Sequence, residues 1–195
     1  MRMHSTLSVL GFSTILAGLL AGCQQPKMDM AEMMKPPPRP AELDQLEMLV
    51  GNWEGTSEMK MMGADKPMIM KGTDTISWDA DKWLLVERSE GTMGDAGNKM
   101  MGLAVWTWDP QIKKFRLWGS DNYGMVMTGT ATYDAPTKTW HMQGNTSAPA
   151  RGEKSYGEGT LKMSTGNTME WNWTEWDCNW KCQKYMEMHG TSHRK

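Results

Sequence analysis

Ala41-Glu42-Leu43-Asp44-Gln45-Leu46-Glu47-Met48-Leu49-Val50-Gly51-Asn52-Trp53-Glu54-Gly55-Thr56 is the stretch where the texture of the chain changes. Leu43, Leu46, Leu49 and Val50 recur at helical spacing, Pro40 precedes the first turn, and Gly51 stands where a C-terminal cap belongs. These signals predict one short helix over residues 41–50. After Gly51 the chain reads as short apolar or alternating runs, separated by Gly63–Pro67, Asp79–Lys82, Gly94–Asn98, Asp109–Gln111, Ser120–Asn122, Asp134–Thr137 and Ser164–Asn167. Gly, Pro, Asn, Asp and Ser each favour turns for a stated conformational reason, and their regular recurrence indicates antiparallel strands. There is no sequence repeat and no second helix long enough to cover a sheet. The expectation is an all-β fold: an antiparallel up-and-down β-barrel of about eight to ten strands, preceded by a short helix. Closure is the simplest way for such a chain to hide its sheet edges.

Alternation within the runs says what faces inward. Met59 and Met61 flank Lys60, Met125 and Met127 flank Val126, and Met186 and Met188 flank Glu187. Trp106 and Trp108 flank Thr107, and Trp171 and Trp173 flank Asn172. Residues two apart share one face of a strand, so Lys60, Glu187 and Asn172 directed to solvent place Met and Trp inside. With 22 Met, 11 Trp and only 2 Phe, thioethers and indoles must form much of the interior. Plain packing explains such residues, because Met fills irregular gaps. The alternative is a ligand lining, since a small closed barrel can keep a cavity for one small molecule. On that reading Trp53, Met59, Met61, Trp106, Trp108, Met125, Met127, Trp171 and Trp173 are the candidate lining residues.

Gly51-Asn52-Trp53, following a helix and opening a strand, resembles the start of lipocalin-like (calycin) barrels, whose tryptophan plugs the closed end. More of the chain is similar, in order and spacing, to the bacterial domain-of-unknown-function family 1579. The matching stretches are Leu43 to Gly55, Gly102 to Asp109, Trp118 to Gly124, Gly129 to Asp134 and Tyr185 to Met188. The resemblance spans roughly residues 43 to 194 and implies a lipocalin-like barrel with no established activity. The heavy Trp and Met content and the pair Cys178 and Cys182 depart from the usual pattern.

The N-terminus carries a different message. Arg2 and His4 give a weakly basic start, Leu7 to Leu20 is almost wholly apolar or small, and Leu20-Ala21-Gly22-Cys23 follows. That order is a signal-peptide pattern, and the apolar run falls short of the roughly 20 residues a spanning helix needs. Leu20-Ala21-Gly22-Cys23 resembles the lipobox of bacterial lipoproteins, which implies cleavage before Cys23 and diacylglycerol on its thiol. Two acyl chains suffice for stable anchoring. The expected layout is a signal peptide over 1–22, a lipidated Cys23 with a Pro-rich tether over 23–40, and a barrel over 41–195. Gln24 rather than Asp after the lipidated residue resembles cargo sorted to the outer membrane, hence its periplasmic face where the envelope has two membranes.

A formal net charge of −2 gives no argument for nucleic acid or an anionic membrane surface as partner. The expected partners are the membrane, through the lipid, and a small apolar ligand. No nucleophile elbow, phosphate loop or zinc-type His/Cys spacing is present, so no catalytic residue, metal or cofactor is assigned and the chain is expected not to be an enzyme. Asp79-Ala80-Asp81 lacks the glycine and distal glutamate of a calcium loop and reads as a turn. His189 and His193 read as part of a solvated C-terminal tail. Three functional alternatives stay open. One is copper(I) or silver handling by thioethers such as Met28, Met30, Met33, Met34, Met61 and Met62, because soft ligands select Cu(I). Another is a haem-binding variant, since nitrobindin-like barrels share a Gly-x-Trp-x-Gly opening similar to Gly51–Gly55; only His189 could serve as its iron ligand. The last is a structural role at the envelope with no ligand.

Cys178 and Cys182 are expected to form a disulfide, the competing reading being a reactive or metal-binding Cys-x-x-x-Cys. Cys23 is committed to lipid, the pair lies beyond the membrane, and residues facing one another beside a hairpin turn lie about 4.5–5.5 Å apart at Cα.

Overall fold

A computed structural model describes residues 30–148, 152–177 and 182–195. The chain forms two units, Met1–Pro38 and Arg39–Lys195. In the described part of the first unit, α1 (Met30–Met33) is a single short helix, with Met30 and Met34 exposed.

The second unit opens with a 3-10 helix, Ala41–Leu49, rather than the α-type turn implied by a C-capping Gly51. The spacing explains the difference. Leu43, Leu46 and Leu49 are each three apart, the period at which 3-10 side chains eclipse, and all three are buried. Each fully buried leucine contributes about 1.5–3 kcal/mol, enough to hold the tighter geometry. Val50 caps the helix by donating its N–H to the Glu47 carbonyl at 3.2 Å. Gly51 then enters the sheet at φ +148°, a conformation that L side chains rarely adopt.

Ten strands follow: β1 (Gly51–Met61), β2 (Met68–Asp79), β3 (Leu84–Met93), β4 (Asn98–Asp109), β5 (Lys114–Asp121), β6 (Val126–Asp134), β7 (Thr139–Ala148), β8 (Glu153–Thr165), β9 (Thr168–Asp177) and β10 (Gln183–Arg194). Each pairs antiparallel with the next, and β10 pairs with β1, so the sheet closes as an up-and-down barrel with no free edge. The expected fold class is therefore observed, at the upper end of the expected strand count. Each predicted turn cluster straddles a junction between consecutive strands.

One expectation is corrected at the C-terminus. His189 and His193 are not in a solvated tail: β10 continues to Arg194, with His189 opposite Glu58 and His193 opposite Glu54 on β1. The closing seam runs from Trp53 opposite Arg194 to Met61 opposite Met186 and takes in both histidines.

Facing glycines let neighbouring strands approach closely. Gly72 faces Gly91 across β2 and β3, and Gly129 faces Gly144 across β6 and β7. A Cβ on Gly91 would lie 2.4 Å from the Lys71 carbonyl oxygen, and one on Gly129 would lie 2.4 Å from that of Gln143. No larger residue permits this approach, so the neighbouring backbones come closer at these two pairs than side chains would allow.

The packed core occupies one end of the barrel. Leu43, Leu46 and Leu49 of the 3-10 helix meet Trp53, Ile76, Leu85, Trp106, Phe115 and Trp140 there. Trp53 is fully buried and donates its indole N–H to the Leu49 carbonyl at 2.8 Å, tying the plug to the helix. Trp78 does the same from the rim, donating to Glu47 Oε2 at 2.6 Å.

Candidate functional site

Above this floor the barrel is not filled. A cavity of about 590 Å³ runs from Asp74 and Glu87 to Tyr123 and Met125 near the far ends of the strands. Its wall carries Met59 and Met61 from β1, Met186 and Met188 from β10, Trp171 and Trp173 from β9, Met127 from β6 and Met142 from β7. Met59, Met61, Met127, Met142 and Met188 are only half-buried. Met127 and Met142 also pack against the floor cluster, whereas Met59, Met61 and Met188 border the cavity without joining it.

The nine candidate lining residues divide by height. Met59, Met61, Met125, Met127, Trp171 and Trp173 border the cavity. Trp53, Trp106 and Trp108 belong instead to the packed floor, Trp108 meeting Phe115 edge-on at 5.1 Å between ring centroids. Alternation reports the face of a residue but not its level along the barrel axis, and these three stand at strand ends beside the 3-10 helix. Asn172 points outward between Trp171 and Trp173, and Lys60 and Glu187 also face solvent.

Three acidic side chains that the sequence reading did not single out share the inner face. On β9, Glu175 is buried two residues beyond Trp173. Its Oε1 accepts from Thr146 Oγ1 at 2.8 Å and Trp173 Nε1 at 3.0 Å, and its Oε2 accepts from Ser155 Oγ at 3.0 Å. This network fixes the indole of Trp173 against the cavity. Asp74 and Glu87 stand on adjacent strands just above the floor residues Ile76 and Leu85, the register placing Asp74 opposite Ser89 and Glu87 opposite Ile76. Burial pushes the Glu87 carboxyl up to about 7; the neighbouring Asp74 carboxylate adds to the rise, and a hydrogen bond with Ser89 opposes it. Asp74 is raised as well, by burial first and against its own hydrogen bond with Ser89. The signal was present in the sequence: Glu175 keeps the period of Trp171 and Trp173, and Glu87 lies two residues from both Leu85 and Ser89.

The histidines do not join the site. His141, His189 and His193 all occupy outward positions of their strands, and His189 Nε2 lies 3.5 Å from Glu58 Oε2 on the outer surface. The haem reading required His189 as a ligand inside the barrel, and its strand position turns it the other way. Among the described residues no group of three His, Cys, Asp or Glu side chains could hold a metal ion. Cys23 and Cys178 lie outside the described residues, as does Met28. Asp177 and Gln183 are paired across β9 and β10, so the strands flank the Cys178–Cys182 segment as the hairpin reading expected.

Fold and site together define a closed, plugged ten-stranded barrel with a thioether- and indole-lined cavity. The same fold is found in two solved structures of low sequence identity. The S-type phycobiliprotein lyase CPES from Guillardia theta is 14% identical, over 87% of this chain and 94% of that one, with a TM-score of 0.58. Rv2717c from M. tuberculosis is 11% identical, over 80% of this chain and 99% of that one, with a TM-score of 0.63. At these identities the likeness is one of fold alone. No family model and no curated protein sequence matches the chain.

Proposed function

We propose that this chain is an envelope lipoprotein, resembling family 1579, whose barrel binds one small amphipathic molecule of largely apolar surface. The observation that carries the reading is the cavity. Its volume, about 590 Å³, lies within the ~300–1,000 Å³ range of ligand sites. Its wall is mostly apolar, with a few polar groups at defined positions, and methionine makes such a wall adaptable to shape. No catalytic step is part of the proposal.

Native mass spectrometry of the protein taken from its own membrane tests it. A retained small organic molecule is expected, and Ala104→Trp, which places a large ring on the cavity wall, should abolish retention. Recovery of the protein empty, or retention unaffected by Ala104→Trp, would exclude the cavity as the binding site. The anchor rests on Leu20-Ala21-Gly22-Cys23: Cys23→Ala should remove membrane partitioning and leave the precursor uncut.

One observation supports a second reading. Met59 faces Met188, Met61 faces Met186, and Met70 faces Met93 across neighbouring strands, giving paired soft donors on the cavity wall. Thioethers in that arrangement suit Cu(I). Copper retained in the same mass spectrum, and lost on replacing Met59, Met61, Met186 and Met188 with Leu, would favour this reading over the organic ligand.

A further inference from the structure

The inward-facing charges of the cavity are unbalanced. Asp74 and Glu87 stand at its base, and Glu175 stands higher on β9, already engaged by Thr146, Ser155 and Trp173. At the far end Asp121 accepts the backbone N–H groups of Tyr123 and Met125 at 2.9 and 3.0 Å, and Asp177 also borders the space. Two lysines touch the cavity, Lys71 and Lys154, but each alternates with an inward neighbour, Met70 and Ser155, and is itself exposed. Glu90 alternates in the same way with Ser89. Below the floor, Arg194 lies over the Trp53 ring and donates to the carbonyls of Met48 and Val50. No cation of the described inner wall therefore faces Asp74 and Glu87.

Two half-buried carboxyls on adjacent strands, with Ser89 opposite one and two residues from the other, disfavour each other's charge. A chain that only needed to close its core would be better served there by apolar side chains.

We infer that the bound molecule carries a cationic, hydrogen-bond-donating end, a protonated amine, which seats on Asp74 and Glu87 above the floor while its apolar body lies along the Met and Trp wall. This rests on the ligand-binding reading above and narrows its chemistry. An ammonium brings three donors and one positive charge, matching two acceptors that can share a negative charge. The positive charge has a second consequence: it lowers the proton affinity of the pair, so near neutrality, where the Glu87 carboxyl is partly protonated, binding is coupled to partial proton release.

The test uses three probes of equal chain length at pH 8, decylamine, decanol and decanoate, each below its micelle concentration, followed by the fluorescence of the cavity tryptophans. The full-length mature protein should prefer decylamine to decanol by roughly tenfold or more, the scale of one charge-assisted hydrogen bond, with decanoate weakest. Asp74→Asn with Glu87→Gln should bring the amine down to the level of decanol; a cooperative thermal melt shows that the variant is folded. Calorimetry near pH 7 in buffers of different ionisation enthalpy should show proton release for decylamine in the wild type and none in the double variant. Equal binding of the three probes, or a preference that survives the double substitution, would overturn the acidic seat while sparing the cavity. Failure of all three probes to bind would overturn the cavity reading itself.

Discussion

The guanidinium of Arg194 lies 4.3 Å from the centre of the Trp53 ring and donates to the Met48 carbonyl at 2.8 Å and to that of Val50. The penultimate residue of the chain thus clamps the plug of the first strand to the end of the 3-10 helix. Arg194→Ala removes a cation–π contact and two charge-assisted hydrogen bonds, and should cost about 2–4 kcal/mol in urea unfolding. Gly51→Ala should have the same direction, because its Cβ would lie 2.3 Å from Arg194 Nη1 at a backbone angle that disfavours a side chain.

Stability of the empty barrel should fall as pH rises. The Glu87 carboxyl titrates near 7 in the folded protein against an ordinary value of 4.5, so between those two values the folded chain holds a proton that the unfolded chain has lost. In that window stability declines with pH, by up to roughly 3 kcal/mol less whatever water in the cavity offsets, and it is flat above about pH 7. Asp74, also raised by burial, acts in the same direction. Glu87→Gln should flatten the profile and raise the melting temperature at pH 8, as thermal melts at pH 4.5, 6 and 8 would show.

The glycine pairs give a sharper structural test. Gly91→Val and Gly129→Val force a side chain into a carbonyl oxygen and should each cost about 1–3 kcal/mol or more. Gly166→Ala is the control, since nothing lies within 4 Å of its Cβ. Equal effects at the three positions, compared by urea denaturation, would mean that the barrel does not depend on these close approaches.

A Cys178–Cys182 disulfide remains an expectation. Its loop is short, so its entropic contribution should fall below the ~3 kcal/mol of a 15-residue loop, and its value would be in fixing the β9–β10 register. Thiol counting on protein recovered from its native cells without reductant should find neither Cys178 nor Cys182 free. Two free thiols would remove the bridge.

Much of the architecture was legible because turn chemistry and strand alternation are local properties. Asp109-Pro110, Gly94 to Asn98 and Ser164 to Asn167 mark their junctions with no tertiary help, and Met186-Glu187-Met188 states its own faces. Height along the barrel was not local. Trp53 and Trp106 read the same as Trp173 in sequence, yet the helix packs on one end only, turning the first two into floor and leaving the third on the cavity. The acidic base was hidden for a related reason. Asp74 and Glu87 become neighbours only through the β2–β3 register, which places Asp74 opposite Ser89, and the turn that sets it reads merely as a turn.

The β1–β10 seam also dictates an order of events. Arg194 closes on Val50 from 144 residues away, so nothing seals the barrel until β10 is available to pair with β1. Until then β1 offers an unpaired edge, and the closing contacts carry the slow kinetics of distant pairing. A chain of this topology emerges from the ribosome unable to finish folding. That delay leaves the β1 edge open to pairing with other chains for as long as the last strand is missing.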